Sequence, residues 1–160
     1  MIVLVGFMGA GKTTVGRLLA AAVGVPFLDS DHMIEARTGR AIPEIFAADG
    51  EPAFRALEHE VIADLLRGPD AILALGGGAP EHEETRKLLA AAPVAFLRVS
   101  YDGAVGRVGG DGNRPMLARP DLPAVYARRQ AAYESVATAT VDVDDLPPEA
   151  IAKQILVSLH

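Results

Sequence analysis

The sequence predicts an α/β fold: a central parallel sheet with helices on both faces. Three observations carry that expectation. Short apolar runs alternate along the chain with segments of helical period, the order expected when parallel strands are joined by crossover helices. Two of the runs, "AILAL" from Ala71 and "VAFL" from Val94, are apolar at every position rather than at alternate ones, so both of their faces need cover. The first run, "MIVLV", opens directly into a glycine-rich turn that is followed by a helix-period segment.

The elements follow in order. Ile2 to Val5 is the first strand, and Val15, Leu18, Leu19, Ala22 and Val23 recur at helical spacing until Gly24 and Pro26 stop them. Pro26 to Asp29 is the second strand, and Asp31 stands where the next helix begins, with Ser30 a candidate cap. Phe54, Leu57, Val61 and Leu65 form one stripe of a helix that ends before "GPD". A strand over Ala71 to Leu75, a helix over "EHEETRKLLAAA" and a strand over Val94 to Val99 come next. Arg107 to Pro120, "RVGGDGNRPMLARP", combines glycine, proline and arginine with little apolar content and reads as a mobile lid. Leu122 to Val136, Thr140 to Val143 and "PEAIAKQILVSL" supply the last helix, strand and helix.

With 160 residues, half of them apolar, the chain suits one domain spanning 1–160. A formal net charge of −6 argues against general nucleic-acid binding, which calls for a basic face. The absence of cysteine excludes disulfides and thiolate metal sites. "MIVLV" lacks the basic flank and length of a secretion signal, and no apolar run approaches the ~20 residues of a membrane span. The expectation is a soluble cytoplasmic protein, most simply a monomer, with no membrane or nucleic-acid partner.

"GFMGAGKTT" fits G-x-x-x-x-G-K-[ST] with Gly6, Gly11, Lys12 and Thr13, and it has the strand before and the helix after that the motif requires. Backbone N–H groups over Gly9, Ala10, Gly11, Lys12, Thr13 and Thr14 can cradle a polyphosphate at a helix N-terminus. Lys12 adds a point charge at the β- and γ-phosphates, and the Thr13 hydroxyl can ligate Mg²⁺, which points to ATP as a substrate. The usual acidic partner at the end of a neighbouring strand is missing, because "AILALGGGA" ends in glycines. Asp29 is the nearest substitute for supporting the metal.

The rest of the chain suggests an anionic alcohol as the second substrate. Five arginines, Arg107, Arg114, Arg119, Arg128 and Arg129, fall in the lid and the helix after it. A planar guanidinium pairs bidentately with carboxylate or phosphate. Arg55 and Glu58 stand three apart on a helix, either as a surface ion pair or with Glu58 aiming Arg55 into a cleft. Gly76 to Gly78 end a buried strand, at the edge of the sheet where open α/β folds bind ligands. Asp31 either steadies a helix start or orients and deprotonates an alcohol attacking the γ-phosphate. His32, His59, His82 and His160 show no metal-ligand spacing.

Taken together, "GFMGAGKTTVGRLLA", "FLDSDHMIE", "TGRAIPEIF", "GEPAFRALE", "LALGGGA", "RPMLA" and "RRQAAY" make the chain resemble shikimate kinase over nearly its whole length. The resemblance implies a three-layer P-loop NTPase fold, with a five-stranded parallel sheet of the nucleoside-monophosphate-kinase type and a closing lid. It also implies transfer of the γ-phosphate of MgATP to the 3-hydroxyl of shikimate. By motif, Asp31 would contact the shikimate hydroxyls as base or orienting group, and Asp29 would support Mg²⁺ through water. Arg55 and Arg129, with backbone from Gly77 and Gly78, would hold the shikimate carboxylate, in a substrate region covering 29–60 and these later residues. The resemblance implies Arg129 rather than Arg128, because the family motif has its arginine four residues before the tyrosine, here Tyr133. Arg114 would reach the phosphates from the lid and Arg107 would lie along the adenine. Thr13 replaces the commoner serine and keeps the hydroxyl. Leu146 stands where the family often has an adenine-lining arginine, which implies weaker ATP binding or looser base preference. The competing readings are a kinase of another polyol acid such as gluconate and a catalytically silent nucleotide-binding module.

Overall fold

The computed structural model describes residues 1–108 and 119–159. Five strands, β1 (Ile2–Val5), β2 (Phe27–Asp29), β3 (Ile72–Ala74), β4 (Val94–Arg98) and β5 (Ala139–Asp142), form one sheet in the order β2-β3-β1-β4-β5. Every pairing is parallel, with Ile2 beside Ile72, Val3 beside Val94, Asp29 beside Ala74 and Phe96 beside Thr140. In β1, β3 and β4, Val3, Leu4, Val5, Ile72, Leu73, Val94, Ala95, Phe96 and Leu97 are all buried, as unbroken apolar runs require when both faces are covered.

The helices are α1 (Lys12–Val23), α2 (Ser30–Thr38), α3 (Ile42–Asp49), α4 (Glu51–Arg67), α5 (Glu83–Leu89), α6 (Tyr101–Val108), α7 (Leu122–Val136) and α8 (Pro148–Ser158), with a 3₁₀ turn at Ala79–Glu81. α1 packs on α8 and on β1, β2 and β3, while α7 packs on β4 and on the 3₁₀ turn. Of the stripe Phe54, Leu57, Val61 and Leu65, Phe54, Val61 and Leu65 are buried and Leu57 is half-buried, and Ile62 joins them.

Three details differ from the sequence expectations. α3 and α6 are short helices that periodicity did not reveal: α3 is only 8 residues long and carries one buried side chain, Ile45. α6 extends through Arg107 and Val108, so Arg107 belongs to a helix rather than to the loop. Asp29, not Ser30, caps α2, its carboxylate accepting from the N–H groups of Asp31 at 2.9 Å and His32 at 3.2 Å. Ser30 is instead fully buried, and its Oγ accepts from Gly76 N–H at 3.0 Å, which ties the start of α2 to the end of β3.

The topology places the site. The chain leaves β1 for β2 at one edge, returns through β3 beside β1, then crosses to β4 on the other side of β1. The turn after β1 therefore lies between the carboxyl ends of β3 and β4, in the crevice where such sheets bind ligands.

Candidate active site

The turn from Gly6 to Gly11 is anchored in the core at Phe7 and Ala10, both about 1% exposed. Gly9 and Gly11 take positive φ values of 80° and 91°, and Gly11 is the N-cap of α1, so the turn depends on residues free of the Cβ penalty in that conformation. Lys12 Nζ arches back to the carbonyls of Gly6 at 2.6 Å and Phe7 at 3.3 Å. The start of α1 lies directly behind this turn, which gives a polyanion both backbone donors and the positive end of the helix. Arg107, from α6, reaches across the same region: Nη1 donates to Gly9 O at 3.0 Å and Nη2 to Val143 O at 2.9 Å. Leu146 packs on the edge of the core just beyond Val143.

Asp29, the N-cap, and Asp31, in the first turn of α2, stand two positions apart and have different surroundings. Asp29 spends Oδ1 on capping α2. Asp31 lies against Gly76, and its carboxyl is pushed up to about 6 by burial and by the neighbouring charge of Asp29, against the opposing pull of Lys12 and Arg55. Among the described residues no three acidic or imidazole groups converge as a metal cage. The Thr13 hydroxyl and Asp29 would be the oxygen donors that the protein offers a divalent ion. That sparse oxygen set suits Mg²⁺, which keeps several waters and takes phosphate oxygens for most of its shell.

The three glycines after β3 account for how the charged residues come together. None of them has a positive φ, so backbone conformation is not what demands glycine there. A Cβ on Gly76 would stand 2.5 Å from Asp31 Oδ1. One on Gly77 would stand 3.1 Å from Arg129 Nη1. One on Gly78 would overlap Arg55 Nη2 and stand 3.0 Å from Arg129 Nη2. Each glycine thus makes room for a different charged group, and Asp31, Arg55 and Arg129 converge on one turn from α2, α4 and α7.

Each of these groups has a supporting partner. Arg55 Nη1 donates to Glu58 Oε1 at 2.8 Å, and with side-chain exposures of 11% and 1% the pair is buried rather than a surface ion pair. Burial pushes the Glu58 carboxyl up to about 7 against the pull of Arg55. Arg55 also lies over Phe46 and Phe54, its Cζ 5.9 Å and 5.3 Å from the ring centroids. Tyr133 is fully buried and donates to Gly77 O at 2.6 Å, which fixes the glycine turn; burial raises its phenol far above the usual range. Arg129 is turned inward and is 12% exposed, whereas Arg128 is 58% exposed. Both arginines pair with Glu81, a residue without a motif of its own, since nothing in its spacing links the 3₁₀ turn to α7.

Arg114 lies outside the described residues, as does most of the expected lid and His160. Arg119 is paired bidentately with Asp121 at 2.9 Å and 2.7 Å. His59 and His82 come together, ring centroids 5.5 Å apart, each within hydrogen-bonding distance of the buried Thr85 hydroxyl. Among the described residues no helix is long and apolar enough to cross a membrane.

The chain is similar to known proteins over nearly its whole length. The shikimate kinase of Thermobifida fusca is 46% identical over 162 residues, covering 99% of this chain and 94% of that protein. The structure of a shikimate kinase from Acinetobacter baumannii in complex with shikimate superposes with a TM-score of 0.89 at 39% identity, covering 97% of this chain and 89% of the other. That of shikimate kinase from Aquifex aeolicus gives 0.87 at 35% identity, over 99% and 95%. The sequence model of the shikimate kinase family matches residues 8–160. On these grounds the chain belongs to the shikimate kinase family.

Proposed function

We propose that this kinase transfers the γ-phosphate of ATP to the 3-hydroxyl of shikimate through a division of labour among Lys12, Asp31, Arg55 and Arg129. The observation that carries the assignment is the convergence of Asp31, Arg55 and Arg129 on Gly76–Gly78, beside the phosphate turn. A substrate with one carboxylate and several hydroxyls matches two inward guanidinium groups next to one buried carboxyl.

In this reading the backbone from Gly9 to Thr14 and Lys12 Nζ bind the polyphosphate. Arg107 flanks the nucleotide, and Arg114, outside the described residues, adds its charge at the phosphates. Arg55 and Arg129 take the shikimate carboxylate with their planar forks, and the backbone of Gly77 and Gly78 completes that cradle. Fixing the far end of the ring places the reacting hydroxyl at Asp31, which orients it and accepts its proton as the phosphoryl group transfers. Thr13 and Asp29 would hold Mg²⁺, Asp29 through water, and the ion when bound neutralises charge developing on the phosphates. No covalent enzyme intermediate is needed, because positioning and electrostatics carry this type of reaction. The enzyme works as a cytoplasmic monomer on two small-molecule substrates in aromatic amino-acid biosynthesis.

Coupled ADP release with MgATP and shikimate, beside gluconate as control, tests the reading. Turnover with shikimate and none with gluconate is expected; the reverse would overturn it. Asp31→Asn should lower kcat by about 10²-fold or more with ATP binding nearly unchanged, the scale typical of losing a positioned proton acceptor.

A further inference from the structure

Glu81 stands three residues beyond Gly78 on the 3₁₀ turn, and both of its oxygens are committed to α7. Oε1 accepts from Arg128 Nε, and Oε2 accepts from Arg129 Nε at 3.2 Å. Because Arg129 is held at Nε, its Nη1 and Nη2 remain turned toward Gly77 and Gly78, alongside Arg55. A guanidinium gripped at Nε by one carboxylate can still offer its Nη1–Nη2 edge to a second, in the bidentate geometry that the planar fork favours.

An exposed ion pair in such a place would contribute little. This one differs in burial and in charge count. Glu81 and Arg129 side chains are 17% and 12% exposed. Against the burial that would raise it, hydrogen bonds from Arg128 and Arg129 hold the Glu81 carboxyl below its usual range. One carboxylate shared by two guanidinium groups leaves a single positive charge, which the carboxylate of an incoming substrate can neutralise.

We infer that Glu81 is a positioning residue for the substrate carboxylate: it grips Arg129 at Nε, locks the glycine turn to α7, and so presents the Nη1–Nη2 edge beside Arg55. The inference rests on the assignment of Arg129 to the shikimate carboxylate made above. Glu81 touches no reacting atom and acts only through Arg129.

The test compares the full-length enzyme with Glu81→Gln, Glu81→Asp, Arg129→Ala and the Glu81→Gln/Arg129→Ala double variant. The readouts are kcat, KM for shikimate, KM for ATP, melting temperature, and the inhibition constant of shikimate methyl ester, which keeps the ring hydroxyls but lacks the negative charge. Glu81→Gln should raise KM for shikimate about tenfold, as expected for losing one charge-assisted hydrogen bond, with kcat and KM for ATP within about twofold. The ester constant should move less than about twofold, and in the Arg129→Ala background Glu81→Gln should add less than about twofold, since coupled residues do not add. Glu81→Asp, which keeps the charge, should recover part of the loss, and serves as the test if the glutamine variant does not fold. A wild-type shikimate KM in Glu81→Gln, with a large rise in Arg129→Ala, would overturn the inference and leave the Arg129 assignment standing. An unchanged KM in Arg129→Ala would overturn both. Equal weakening of shikimate and its ester, or losses that add in the double variant, would make Glu81 a purely structural residue and also overturn the inference.

Discussion

Replacing Gly76 with alanine should separate the chemistry of this enzyme from its folding. The Gly76 backbone lies outside the left-handed region, so alanine is conformationally acceptable there. Its N–H is held by Ser30 Oγ at 3.0 Å and its carbonyl by Ala79 N–H at 3.1 Å, so the turn itself resists moving. The added methyl carbon would stand 2.5 Å from Asp31 Oδ1, 3.0 Å from Oδ2 and 3.1 Å from Cγ, where ordinary contact begins near 3.4 Å. The carboxylate must therefore withdraw by roughly 0.9 Å, the gap between those distances. A misplacement of about 1 Å in a reacting group costs on the order of 10²-fold in rate. The short Asp31 side chain can yield without disturbing the core, and alanine lowers the entropy of the unfolded chain, so stability should change by less than about 1 kcal/mol. Coupled ADP release at saturating substrates should show kcat down about 10–100-fold, with KM for ATP within about twofold and an unchanged melting transition. A kcat within about twofold of wild type would show that the position of Asp31 is not critical, and the role given to it would fall.

Four further outcomes follow from the same geometry. With the Asp31 carboxyl at about 6, kcat/KM should fall as pH drops through that value, and a flat profile to pH 5 would show that burial and the Asp29 charge do not raise this carboxyl in the working enzyme. The same burial costs stability: the folded-state value lies above the ordinary 3.8, so the native state loses stability as pH rises from 3.8 to about 6. At about 1.4 kcal/mol per pH unit, Asp31→Asn should therefore stabilise the enzyme by up to about 3 kcal/mol at pH 8, measured by denaturant unfolding. Asp29→Asn keeps a capping side chain and should chiefly raise the Mg²⁺ concentration needed for half-maximal rate, while Asp29→Ala should also lose about 1 kcal/mol of stability; identical Mg²⁺ responses in wild type and both variants would refute the metal role. Glu58→Ala strips a buried arginine of its partner and should destabilise the protein by about 3 kcal/mol as well as raising KM for shikimate; an unchanged unfolding midpoint would show that Arg55 is held by Phe46 and Phe54 instead.

The sequence by itself determined the parallel sheet and the phosphate turn, because both are local in cause. Short unbroken apolar runs such as "VAFL", alternating with segments of helical period, suit strands covered on both faces, and "GFMGAGKTT" carries its own turn, helix start and charge within nine residues. It also singled out Asp31 and Arg55, whose types suit an anionic alcohol, while Arg129 stood out from four other arginines only through the family resemblance. What it left open was every relation between residues far apart in the chain. A ligand-binding turn was legible in "GGG", but not that Gly76, Gly77 and Gly78 each make room for a different charged group arriving from another helix. Whether Arg55 and Glu58 form a surface pair or a buried one depended on the packing of α4, and the cap of α2 fell to Asp29 because Gly76 claims the Ser30 hydroxyl. Glu81 was silent for the same reason: its partners lie 47 and 48 positions away and meet it only where α7 packs on the 3₁₀ turn. Periodicity and motif report on forces acting within one or two helical turns, whereas the tertiary fold decides which charges share a buried space, and with it the protonation and aim of the groups that bind and react.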